Sequence, residues 1–157
     1  MSYRMIYDIH THTTFSHGKG SIEDNVKAAA EKGLSAIGIA DHGPGHVSYG
    51  VKRENFAVMR REIQRLRPLY PQMEILLGVE ANIMNPDGSL DVTETEKVQL
   101  DYVLAGYHYG VFGQAKVRAL AIHGSNLLHL PAARKANTRR VVRALRENEI
   151  KILTRCV

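Results

Sequence analysis

The chain has 157 residues, 44% hydrophobic and 24% charged, with a formal net charge of +5. That size and balance fit one domain with a buried core and exclude an intrinsically disordered sequence. No run approaches the roughly 18 apolar residues of a membrane helix, the N-terminus lacks a signal peptide's apolar core, and a lone cysteine, Cys156, excludes a disulfide framework, so a soluble cytoplasmic protein is expected.

Strands and helices alternate along the chain. RMIYDIH, residues 4–10, reads as a first strand. SIEDNVKAAAEKG follows as a helix, with Ser21 as N-cap, Asp24 closing a capping box and Gly33 at the stop. SAIGIAD is a second strand, and ENFAVMRREIQRLRPL an amphipathic helix with Phe56, Met59, Ile63 and Leu66 on one face. EILLGVEANI and DYVLAGYH are strands three and four. PAARKANTRRVVRALREN opens with a proline suited to a first helical turn, and EIKILT is strand five. The alternation predicts an α/β fold with parallel strands and crossover helices. Residues 116–157 carry 10 Lys and Arg against 2 Asp and Glu, whereas residues 1–115 carry 11 against 14. The basic run has helical spacing and no interleaved aromatic residues, so a solvated helix face is expected before a nucleic-acid surface.

Four successive strands end in metal-competent side chains: His10 and His12, then His42, Glu80 and His108. In a parallel β/α barrel, reactive groups collect at the C-terminal ends of the strands. Strand alternation puts Asp8, His10 and His12 on one face, opposite Tyr7 and Ile9. It likewise sets His42, Glu80 and His108 opposite the large apolar residues of their strands. Imidazole and carboxylate together suit Zn²⁺, Mn²⁺ or Fe²⁺, and a bridging carboxylate such as Glu80 suits a cluster of ions that clamps a phosphoryl group. Asp8 is expected to support a histidine and not to ligate. Asp41, of opposite parity to His42, is expected in a similar supporting or proton-handling role. His46, His123 and His129 read as ordinary histidines, and Gly43, Pro44 and Gly45 as turn chemistry.

DIHTHTTFSHG, GIADHGP, GVEANI and AGYH resemble, in order, the successive motifs of the PHP (polymerase and histidinol phosphatase) superfamily. The resemblance implies a distorted (βα)7 barrel holding up to three Zn, Mn or Fe ions and hydrolysing phosphoesters. It implies that His10, His12 and Glu80 hold one ion, Glu80 and His108 a second, and His17 and His42 a third. The departures lie at the end. The family's fifth strand closes on a histidine ligand where this chain has Arg155, and a later Asp-x-His motif is absent. Alternation places Lys151, Leu153 and Arg155 on the ligand face. The expectation is therefore a single PHP domain over 1–157 lacking the C-terminal part of its barrel and about three ligands. Its substrate would be a phosphorylated small molecule or nucleotide, its activity impaired by truncation, and an open sheet edge would favour a homo-oligomer. The competing expectation is an inactive metal-binding remnant or an interaction module completed by a partner. An amidohydrolase is disfavoured, because Glu80 stands where a carboxylated lysine would be needed.

Overall fold

The computed structural model describes residues 4–108, 111, 131–150 and 152–155; His123, His129, Lys151, Cys156 and the Arg155 side chain lie outside that description. In chain order the elements are β1 (Tyr7–Thr11), α1 (Ile22–Glu31), β2 (Ala36–Ile39), α2 (Asn55–Leu66) with a 3₁₀ turn at Arg67–Leu69, β3 (Glu74–Asn82), α3 (Glu94–Lys97), β4 (Tyr102–Gly106), α4 (Pro131–Glu147) and β5 (Ile152–Arg155). The five strands form one sheet in the order β1-β2-β3-β4-β5, every neighbouring pair parallel. Because crossovers are right-handed, a sequential order puts the described connecting helices on the same face. That is the arrangement of an incomplete (βα) barrel, since a doubly wound sheet reverses its order and covers both faces.

Local chemistry sets the helices. At α1, the Asp24 amide donates to Ser21 Oγ at 3.1 Å, and the Ser21 amide donates to the Asp24 carboxylate at 2.8 Å. The helix ends before Gly33, whose φ of 66° is the left-handed conformation that favours glycine. Along α2 the 3-4-3 spacing of Phe56, Met59, Ile63 and Leu66 makes one stripe, and all four are buried. That stripe joins Ile22, Val26 and Ala29 of α1 over Ile37, Ile39, Ile75, Leu77 and Val79 of the sheet. Each large side chain so buried stabilises by roughly 1.5–3 kcal/mol. A smaller cluster of Ile83, Ala105, Tyr107 and Ala144 seats α4 on β4, with Leu153 of β5 packed against it.

The opposite, concave face is filled differently. Tyr102 lies across the sheet, and its hydroxyl donates to the Ile9 carbonyl of β1 at 2.6 Å. The ring passes over two glycines: a Cβ on Gly78 would strike it, and one on Gly38 would strike its hydroxyl. Glycine recurs on this face because the tyrosine needs the room.

Candidate metal centre

Glu80, at the end of β3 and only 3% exposed, stands at the middle of the cluster. Its Oε2 lies 3.4 Å from His10 Nε2, 3.6 Å from His12 Nε2 and 3.0 Å from His42 Nδ1. Its Oε1 lies 3.3 Å from His108 Nε2 and accepts a hydrogen bond from Thr154 Oγ1 at 2.6 Å. His17 comes from the loop after β1, its ring centroid 4.5 Å from that of His12 and 4.9 Å from that of His42. Among the described residues, three sets of donor atoms converge within metal-binding reach: His10, His12 and Glu80; His42, Glu80 and His108; His12, His17 and His42. The structure thus brings all six expected ligands together. It differs from the family expectation in one respect, since His12 and His42 each fall in two sets.

The donor set fits a cation. Among the described residues His42 Nδ1 is buried without a hydrogen-bond partner, and its approach to Glu80 lacks hydrogen-bond geometry. An orphaned imidazole nitrogen among three other histidines and one carboxylate is costly unless something positive accepts its lone pair.

The electrostatics agree. Burial works to raise the Glu80 carboxyl, but the close side chains of His10, His108, His42 and Thr154 outweigh it and hold the group well below the usual carboxylate range. Burial and then the neighbouring His42 push His12 down to about 4, Glu80 opposing them in part. His10, nearer the surface, is raised chiefly by its hydrogen bond to Glu80.

Supporting residues surround the cluster. Asp41 is buried and accepts from the Thr13 amide at 2.7 Å, Thr13 Oγ1 at 2.6 Å and Ser16 Oγ at 2.5 Å. It pins the β1–α1 loop, and it reaches His12 only through Ser16, whose hydroxyl is 3.5 Å from Nδ1. His108 Nδ1 is 2.8 Å from Asn82 Oδ1. His46 stacks on His42 at 5.1 Å, at the rim of the cluster and in no ligand set.

Two alternation readings are corrected. Asp8 does not share the ligand face: it pairs with Ile37, and with Ala28 and Lys32 it lines a cavity against α1. The cause is a β-bulge, in which Ile9 and His10 together stand opposite Gly38 and the face flips between Asp8 and His10. Asp8 instead accepts from the His10 backbone amide at 3.1 Å. In β5, Leu153 pairs with Ala105 and packs on the helix side, so Thr154, and not Leu153, faces the cluster. Thr154, Asn82 and Tyr102 escaped the sequence reading. The signal for Tyr102 was present in its parity with Leu104, Gly106 and His108, whereas Thr154 and Asn82 have no spacing that marks them.

Comparison with known proteins gives a match to the PHP domain over residues 8–154. A probable phosphatase of Caldanaerobacter subterraneus is 39% identical over 114 residues, covering 69% of this chain and 41% of that protein. A DNA polymerase/3'-5' exonuclease of Bacillus subtilis is 34% identical over 102 residues, covering 64% of this chain and 18% of that protein. Among solved structures, a Listeria monocytogenes protein assigned as a histidinol phosphatase matches with a TM-score of 0.56 at 18% identity, over 67% of this chain and 47% of that one. At that identity the likeness is one of fold. The chain spans about two-fifths of the length of the probable phosphatases it matches.

Proposed function

The chain belongs to the PHP domain family, and from that premise we propose that it is a metal-dependent phosphoesterase acting on a phosphorylated small molecule or nucleotide. The observation that carries the reading is the convergence of six donor side chains, Glu80 at their middle, from four strand ends and one loop. The names of the relatives support the phosphoryl chemistry.

His10, His12, His17, His42, Glu80 and His108 would hold divalent ions, of which Zn²⁺, Mn²⁺ or Fe²⁺ suits nitrogen and carboxylate donors. Such ions, when bound, supply an activated water and neutralise phosphoryl charge. The protein's own part is orientation. Glu80 faces histidines through both carboxylate oxygens, Thr154 holds Oε1, and Asp41 fixes the loop that carries His17. His12, kept neutral near pH 7, offers a lone pair without first losing a proton.

The test is hydrolysis of p-nitrophenyl phosphate with added Mn²⁺ or Zn²⁺. Turnover that disappears in His10→Ala supports the proposal. The second reading, a metal-binding module without catalysis, is favoured by β5, which brings a threonine hydroxyl and not a ligating nitrogen to Glu80. Ion binding with no turnover of phosphomonoesters, nucleotides or single-stranded DNA would select it. Exposed Met5 and Ile6, leading into edge strand β1, and Tyr7 at its start support self-association through that edge, which light scattering would read as a dimer mass.

A further inference from the structure

We propose that Asn82 and Asp91 are positioning residues that hold His108 as its Nδ1–H tautomer and so keep a bare Nε2 aimed at Glu80 and an ion beside it. The inference rests on the metal-centre reading and concerns a layer behind the ligands.

Hydrogen-bond direction carries it. Asp91 returns beside β3 after a short excursion, its amide donating to the Asn82 carbonyl at 3.2 Å. Its carboxylate accepts from the Asn82 amide at 2.8 Å and from the Gly45 amide at 2.7 Å. The Asn82 side-chain nitrogen then meets two oxygens that accept, Asp91 Oδ2 at 2.5 Å and the Gly43 carbonyl at 3.3 Å. That nitrogen is the donor, so the remaining Asn82 atom, Oδ1, faces His108 Nδ1 at 2.8 Å. An amide oxygen only accepts, hence Nδ1 carries the hydrogen. A neutral imidazole has one such hydrogen, which leaves Nε2 with a free lone pair 3.3 Å from Glu80 Oε1. The reverse amide orientation would set a carbonyl against two oxygens with Asn82 fully buried, a costly arrangement.

The bond is needed because Nε2 has a competing attraction. Glu80 Oε1 would draw the imidazole hydrogen onto Nε2, and a protonated nitrogen cannot ligate. Asn82 removes that choice, as the partner of one ring nitrogen sets the state of the other. The same layer explains the turn after His42. A Cβ on Gly43 would strike the Asp91 carboxylate, so glycine leaves room for Asp91 to tie the ends of β2 and β3 together.

The test reads the tautomer directly in the metal-free, ¹⁵N-labelled protein from long-range proton–nitrogen correlations of His108, assigned by its loss in His108→Gln. The expected result is a protonated Nδ1 and a bare Nε2. Asn82→Ala shifts the proton toward Nε2 and weakens Zn²⁺ binding, measured calorimetrically, on the order of 10–100-fold for one class of ion; Asp91→Asn gives a smaller shift in the same sense. A wild-type His108 protonated at Nε2, or a tautomer unmoved by Asn82→Ala, overturns the proposal. The wild-type spectrum alone decides should either variant fail to fold. A chain that binds no Zn²⁺ yet keeps the Nδ1–H form would leave the positioning intact and overturn the metal-centre reading instead.

Discussion

At Glu80, burial and the four side chains that face its oxygens act in opposite senses, and the side chains win. The residues around it divide the resulting charge unequally. His12 is held near 4, below its ordinary 6.5, so over that interval the unfolded chain takes up a proton that the folded one refuses. Stability from this group is therefore present above about pH 6.5 and declines as pH falls toward 4. His46 shifts in the same direction, His10 in the opposite one, and Glu80 adds its own loss only below the ordinary carboxylate range. The melting temperature of the metal-free protein is expected to fall between pH 7 and pH 5, and the fall is expected to be shallower in His12→Gln. Identical slopes for the two proteins would contradict the assignment. The ligands themselves were legible because each is a polar residue closing an apolar strand. Thr154 and Asn82 were not, because a threonine or asparagine gains its role from a partner brought close by folding, Glu80 lying 74 residues away in one case and His108 lying 26 away in the other.

Elements were legible where packing was one-sided. Alternation holds through β2, β3 and β4, whose apolar faces all meet α1 and α2 or α4. It fails at β1, where the bulge adds a residue, and at β5, where two apolar residues stand in succession and Leu153, expected on the ligand face, takes the helix side. On the concave face, Gly78 and Tyr102 form one steric unit. Gly78→Ala is expected to cost about 1–3 kcal/mol from overpacking, read from urea denaturation. Tyr102→Leu should cost stability alone but lessen the Gly78→Ala penalty when combined, a coupling a double-mutant cycle reports. Additive losses would mean that the ring moves aside freely.

For the molecule as a whole, the parallel order of five sequential strands brings their C-terminal ends along one rim, and the cluster occupies that rim. Among the described residues no helix is long and apolar enough to cross a membrane. Ions bound by the folded chain alone stabilise it by mass action, about 2.7 kcal/mol at 100 times Kd, or roughly 5–10 °C in Tm for a chain of this size. Zn²⁺ or Mn²⁺ is expected to raise the melting temperature on that scale, with EDTA reversing the rise and Glu80→Gln largely removing it. A melt indifferent to both ions would speak against the centre. The hydrogen bond from Tyr102 to the Ile9 carbonyl joins residues 93 apart in sequence, from the fourth strand to the first. It is a chord drawn across an arc, and the length of a chord fixes how tightly the arc bends. The separation between the ligands on β1 and the one after β4, and with it the spacing available to neighbouring ions, is thus gauged by a phenol that touches none of them.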